Sequence, residues 1–431
     1  MYRLLEEKVF KDPVHQSIYV QEASIWKLIN TCEFQRLRRI RQLGTSYLTF
    51  HGAEHSRFSH SLGVYDITRR IISQFERNGY QDWPQEEKMV CLCASLLHDV
   101  GHGPFSHAIE QVFETDHEEW SCAIILGQTE INRVLREVSE DFPQKVANVI
   151  CKSYDKPIVI SLVSSQMDAD RMDYLLRDAY FTGVNYGTFD LDRILRVLRP
   201  YKGRIVVKES GMHAVEDYLM SRYQMYWQIY FHPVTRSSDI VLRQIFMRAR
   251  ELYRHGHAFK FLLPPLTQLL NGSIGLEDYL ALDEAMVQTA FGQWADEDDE
   301  ILADLCSRFL NRRLYKYVPL DSPHETLASE LRAQWELIGL HPDYHLQMDT
   351  PSNLSYDVYK PGISPDQDPK EKTPILVLDD KDRLTEISLK SDIIRSIAGL
   401  QTGKYYIYYP EDLILPHKER LKPEIRELLN L

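Results

Sequence analysis

The sequence predicts a mainly α protein: a helical body with small β hairpins, followed by a small C-terminal α+β unit. Two observations carry this. Apolar residues recur at helical spacing from Trp26 to Tyr253. After Asp349 the pattern gives way to a proline-rich polar stretch and then to short strand-like runs around Asp379-Asp380-Lys381-Asp382-Arg383. With 431 residues, 44% hydrophobic and 26% charged, the chain has material for a sizeable core and an ordinary solvated surface.

Taken in order, Trp26–Leu43 reads as a helix with Ile29, Phe34, Leu37 and Ile40 on its apolar face. Ser61–Phe75 follows, carrying Leu62, Val64, Ile67, Ile71, Ile72 and Phe75. Glu86–His98 is strongly apolar and stops at Asp99-Val100-Gly101. Further helices are predicted over Ser106–Phe113, Trp120–Gly127, Glu130–Val138, Phe142–Cys151, Gln166–Tyr180, Leu191–Leu198, His213–Tyr230 and Val234–Tyr253, with Arg204–Lys208 as a short strand. These place a helical body at 1–348, a linker at 349–373 and a tail unit at 374–431 with strands at Ile375–Leu378, Leu384–Leu389 and Tyr405–Tyr409. The acidic run Asp296–Glu300 reads as a solvated helix start or loop.

A formal charge of −13 argues against bulk attraction to nucleic acid or anionic membranes, so an anionic ligand needs a local basic site. The Arg36–Arg41 run is one candidate, though composition favours a solvated helix face. No apolar run reaches the roughly 18 residues of a membrane span, and the N-terminus has no signal-like stretch. The six cysteines form no CxxC pair and no disulfide-like cluster, which fits a reducing, cytoplasmic setting.

The chemistry concentrates around His98-Asp99, an imidazole–carboxylate pair at a helix end followed by Gly101 and Gly103, which permit close backbone approach. A bare pair of this kind is common by chance. Here His60 precedes it at a helix start, Asp168, Asp170 and Asp173 follow on another helix, and His102, His107 and His117-Glu118 crowd behind it. Two histidines and two carboxylates suit a divalent metal and leave positions open for water and a substrate oxygen, as hydrolysis requires.

The wording Arg57-Phe58-Ser59-His60-Ser61-Leu62-Gly63-Val64, then Leu97-His98-Asp99-Val100-Gly101-His102-Gly103-Pro104-Phe105-Ser106-His107, resembles the HD-domain deoxynucleoside triphosphate triphosphohydrolases. The likeness begins near Lys8–Pro13, includes Phe34–Gly44 and Asp170–Asp178, and fades after about Arg250. It implies that His60, His98, Asp99 and Asp170 hold one divalent ion (Mg, Mn, Fe, Zn or Ni) beside the α-phosphate. Water would then release a deoxynucleoside and intact triphosphate. It further implies acid–base roles for His107 and His117, a phosphate contact for His102, and orienting roles for Glu110 and Glu118. Arg57, Arg171, Arg222 and Tyr174 match phosphate contacts, with Arg171 standing where lysine is frequent. Gln42, Leu43, Asp178 and Tyr230 match sugar contacts, Leu43 and Tyr230 crowding out a 2′-hydroxyl. For Leu43 and Tyr230 the plainer alternative is core packing, and for His102 a satisfied core histidine.

The resemblance also implies a homotetramer binding a regulatory nucleotide between subunits, through Lys8, Gln35 and Arg38. Asn30 departs from the aspartate that would accept from guanine, since an amide offers one acceptor and one donor group. Two alternatives stay open. One is another HD reaction, such as that of a nucleotidase, phosphodiesterase or (p)ppGpp hydrolase. The other is a non-catalytic nucleotide-binding scaffold, disfavoured because all four metal-ligating positions are filled.

Overall fold

A computed structural model of the chain describes residues 3–321, 325–350, 374–398 and 404–431. It opens on an antiparallel hairpin, β1 (Arg3–Asp12) and β2 (Gln16–Glu22), which helical periodicity did not reveal. Only Ile18 and Val20 of this hairpin reach the apolar core fully, so its alternation is short. The expected helix over Trp26–Leu43 is broken into α1 (Ala23–Ile29) and α2 (Cys32–Arg36). Asn30 ends α1 with its amide on the Trp26 carbonyl, and Thr31 restarts the chain as an N-cap, accepting from the Phe34 N–H.

The basic run beyond is a solvated face only in part: Arg38 and Arg39 are exposed, whereas Arg36 turns inward. Arg36 is buried and donates to the carbonyls of His102 (2.9 Å), Leu282 (2.9 Å) and Tyr279 (3.4 Å). A guanidinium suits this place because its five N–H donors can satisfy several inward-turned carbonyls at once.

The central layer is α3 (Arg57–Arg77) against α4 (Lys88–Leu97), with α6 (His117–Leu126), α7 (Glu130–Arg136), α8 (Phe142–Ile150), α9 (Pro157–Val163) and α10 (Ala169–Thr182) around it, while α5 (His107–Phe113) turns away into a separate core. Every residue of α4 after Lys88 is buried, which explains why its sequence is apolar on all sides. Next come α11 (Leu191–Val197), the hairpin β3 (Leu198–Tyr201) and β4 (Arg204–Lys208), and α12 (Met212–Met225). α12 passes into a π turn at Tyr226–Tyr230, and proline at the first turn opens α13 (Pro233–Arg254).

A second core packs α13 on α14 (Pro264–Asn271), α15 (Leu276–Ala281), α16 (Glu284–Trp294) and α17 (Glu300–Leu310) through residues such as Phe246, Phe291 and Phe309. Asp299 caps α17 as a helix start, but Glu297 from the same acidic run is buried and accepts from the Lys260 N–H.

The strands expected in 374–431 form, yet they do not make a sheet of their own. β7 (Leu376–Leu378) and β8 (Leu384–Glu386) extend the β3–β4 hairpin in the order β3-β4-β7-β8, with β4 and β7 parallel. β9 (Tyr405–Tyr409) lies between β5 (Lys316–Leu320) and β6 (Gln347–Asp349). Burial explains this: Tyr406 and Tyr408 join the α13 core, whereas Val377 and Ile387 join the central one. Of the expected linker, 351–373 lies outside the described residues. Cys122 on α6 and Cys151 at the end of α8 bring their sulfur atoms side by side. Among the described residues no helix is long and apolar enough to cross a membrane.

Candidate active site

Three elements converge on one cluster. His60 comes from the first turn of α3, His98 and Asp99 from the end of α4, and Asp170 from the first turn of α10. The His60 Nε2 lies 3.0 Å from Asp170 Oδ1 and 3.7 Å from Asp99 Oδ2. The His98 Nε2 lies 3.4 Å from Asp99 Oδ1 and 3.6 Å from Asp170 Oδ1. Ligand atoms about 2.1 Å from one ion at 90–109° would stand about 3.0–3.4 Å apart, so this spacing suits a divalent cation. Both rings turn Nε2 inward because Nδ1 is engaged behind: His60 on Asp173 at 2.8 Å and His98 on the Ser95 carbonyl at 2.9 Å. The buried His98 Nε2 has no hydrogen-bond partner among the described residues.

Electrostatics agrees with this geometry. Burial pushes the His60 pKa down, but the Asp170 and Asp173 carboxylates outweigh it and raise it to about 10. The carboxylates therefore hold a proton at His60 unless a cation displaces it. Burial works against ionisation of Asp170 too, yet His60 and His98 bring its pKa well below the usual range.

Behind His60 is a network that the sequence reading missed. Asp173 takes His15 Nε2 at 2.6 Å on one oxygen and Arg177 Nε at 2.8 Å on the other, while Arg177 also grips Asp12 at 2.8 Å. Gly63 is obligatory here, since a Cβ would overlap the Asp173 carboxylate. The i+3 and i+4 spacing of Asp170, Asp173 and Arg177 on one helix was the available signal.

The second histidine group sits beside Asp99. His102 and His117 stack with centroids 3.9 Å apart, and both face Glu110, at 3.4 Å and 3.0 Å. Burial and Arg57 bring His102 down to about 4, so it is neutral at physiological pH. For His117, burial is overcome by Glu110 and the net shift is upward. Gly101 lets the loop pack on the α6 backbone, where Ser121 Oγ accepts its N–H at 2.9 Å. Phe105 and Ser106 both adopt positive φ (57° and 48°), a conformation that bulky residues resist. It presents Ser106 Oγ to Arg57 at 2.6 Å, while Arg57 also holds Asp99 at 2.5 Å. The side chain of His107 lies outside the described residues.

Arg57, Asp99, His102, Ser106, His117 and Asp170 line a cleft of about 510 Å³ that also takes in Gln42, Leu43, Tyr174, Asp178 and Tyr230. Asp178 accepts from Tyr230 Oη and faces His55 Nε2, each at 2.7 Å. Gln42 Oε1 is buried with no partner among the described residues. The cleft further includes Tyr226, Phe231, Thr235, Asp239 and Arg243, which the reading did not single out because they resemble an ordinary amphipathic helix.

Three expected site residues are engaged by other partners. Glu118 pairs with Lys152 at 2.6 Å on the surface, so Glu110 alone of the two orients histidines. Arg171 is tied to Asp168 at the base of α10, and Arg222 donates to Gln166 at 2.8 Å; neither lines the cleft. Each is drawn down by a buried oxygen acceptor below α10. Of the regulatory candidates, Asn30, Gln35 and Arg38 meet at one turn: Gln35 donates to the Ile29 carbonyl at 2.7 Å and accepts from Arg38 at 2.8 Å. Lys8 sits on β1, and Asn30 is exposed rather than buried.

An HD domain matches residues 57–178, and an HD associated region matches 189–258. The chain is 53% identical over 434 residues to the uncharacterized protein YwfO of Bacillus subtilis, covering 100% of this chain and 98% of that one. It is 25% identical over 357 residues to a deoxynucleoside triphosphate triphosphohydrolase SAMHD1 homolog of Dictyostelium discoideum, covering 78% of this chain and 64% of the other. Among solved structures, a phosphohydrolase from Bacteroides thetaiotaomicron superposes with a TM-score of 0.81 at 28% identity, covering 94% of this chain and all of that one (100%).

Proposed function

The chain belongs to the HD-domain phosphohydrolase family, and from that premise we propose that it hydrolyses deoxynucleoside triphosphates to deoxynucleoside and inorganic triphosphate. The observation that carries this reading is that Asp99 and Asp170, which stand against His60 and His98, open into a cleft whose other wall is Gln42, Leu43, Asp178 and Tyr230. A bound divalent cation would acidify water and draw charge from a phosphoryl oxygen. The chain's own groups do the rest. His60 and His98 present Nε2 atoms fixed by Asp173 and Ser95. Arg57 steadies Asp99 and offers positive charge to the phosphates.

His117, kept basic by Glu110, moves a proton between water or the departing 5′-oxygen and solvent. His107 is proposed as the second acid–base group on family likeness. His102, neutral and stacked on His117, faces the phosphates as a hydrogen-bonding group. The buried Gln42 oxygen is free to accept the 3′-hydroxyl, and Leu43 with Tyr230 narrows the place of a 2′-hydroxyl. In this arrangement Arg171 and Arg222 support the floor of the cleft rather than its lining. Likeness to the family further supports a homotetramer with a nucleotide at the Asn30–Arg38 surface.

Turnover of dGTP against GTP tests the sugar side of this reading. The expected result is a deoxynucleotide preference of at least about tenfold, the scale of one unmet polar or steric contact. Equal turnover rejects it.

A further inference from the structure

One wall of the cleft is not used by the reaction as described above. Phe231, Thr235, Asp239 and Arg243 line it, and the last three are spaced by four along α13, so they share one face of that helix. Asp239 is fixed from behind: the Thr45 hydroxyl donates to its Oδ1 at 2.5 Å and lies 2.8 Å from Ser238 Oγ. Thr45 is three residues beyond Gln42, so the turn that offers Gln42 and Leu43 to a sugar also locks Asp239 beside them. Arg243 rests on the Gln111 amide oxygen at 3.0 Å, while its neighbour Arg236 is spent on Asp349 in a two-pronged pair at 2.7 Å. Thr235 Oγ1 is buried with no partner among the described residues.

We propose that this α13 wall is a base-reading subsite selecting guanine, Asp239 accepting from the base and Arg243 donating to it. The inference rests on the deoxynucleotide reading above. Its chemistry is specific. Guanine alone among the four bases offers two adjacent N–H donors (N1–H and the 2-amino group) to one carboxylate, together with two acceptors (O6 and N7) for a guanidinium fork. Thymine offers a single ring N–H. Adenine and cytosine present a ring acceptor at that edge, which a carboxylate repels. The ring of Phe231 in the cleft lining supplies an apolar face for the base. Burial also lifts the Asp239 carboxyl above its ordinary value against the pull of Thr45 and the two arginines, so donors from a ligand would relieve a poorly solvated charge.

The test is a competition, because an equimolar mixture of four dNTPs in one vessel is consumed in proportion to kcat/KM whatever the enzyme's activation state. Wild type is expected to deplete dGTP ahead of the other three by about ten- to a hundredfold, the worth of one bidentate contact. In D239N the Thr45 hydroxyl holds the remaining oxygen, leaving the amino group toward the cleft. The order should then turn toward dATP and dCTP, a gain that misfolding cannot mimic. Equal depletion of all four by wild type, or a uniform loss in D239N, overturns the subsite. If no dNTP is consumed, the deoxynucleotide reading has failed instead. Displacement of a fluorescent deoxynucleotide by each dNTP then decides the subsite by itself. A guanine preference that D239N abolishes supports it, and one that D239N leaves unchanged overturns it.

Discussion

Replacing Asp173 with alanine strips His60 of the group that aims it. The carboxylate accepts four N–H contacts, from His15, His60 and two nitrogens of Arg177, at 2.6–2.9 Å. Removing one partner of a buried ion pair costs about 3–5 kcal/mol. Asp12 still holds Arg177 at 2.8 Å, which places the loss near the lower end, about 3 kcal/mol. For the metal, losing the group that orients a ligating histidine weakens binding by about ten- to a hundredfold.

The assay is a metal titration of folded D173A beside D12A, with denaturant unfolding of both. D12A also removes one partner of Arg177, which keeps Asp173, but Asp12 does not touch His60. The expected result is that both variants lose stability while D173A alone loses metal affinity. Equal metal affinity in the two variants would refute the orienting role of Asp173.

Further expectations follow from the same geometry. Asp99→Ala should abolish turnover and lower metal content below one ion per chain by elemental analysis; full content with full activity would reject the cluster as the metal site. Removing the Glu110 charge in E110Q takes away what holds the His117 pKa up. The limb of the kcat/KM profile governed by His117 should therefore move to lower pH, and an unmoved limb would separate the two residues. His102, depressed to about 4, should contribute no limb near neutrality. At the α1–α2 turn, the exposed Asn30 offers one acceptor where a carboxylate would offer two. GTP and dGTP should thus stimulate dATP hydrolysis weakly, an affinity loss of about tenfold or more for one unpaired donor. Strong guanine-selective stimulation at low micromolar levels would contradict this.

The long helices were legible in the sequence because burial on one stripe writes a period of 3.6 residues. α3, α4 and α13 follow their expected spans within a few residues. The β1–β2 hairpin and α14–α17 were not legible. The hairpin buries few residues, and short helices give too few turns for the period to emerge. The proposed metal ligands stood out because their chemistry restricts residue type, whereas Arg36 did not: nothing in a basic run says which member turns inward toward buried carbonyls. The partners of Arg171 and Arg222 were not legible, for one cause. Family likeness assigns position along the chain, but the partner a guanidinium finds, here Asp168 or Gln166, depends on tertiary contacts. Glu118 differs from Glu110 in the same way, as Lys152 takes it to the surface. The split of the C-terminal strands between two sheets lay beyond any local signal.

The central claim is hydrolysis at the α-phosphorus, and product identification with each dNTP and Mg²⁺ or Mn²⁺ tests it most directly. Phosphorus NMR of the quenched reaction should show inorganic triphosphate, with deoxynucleoside in equal amount by chromatography. Pyrophosphate with deoxynucleoside monophosphate, or orthophosphate with the diphosphate, would contradict the account.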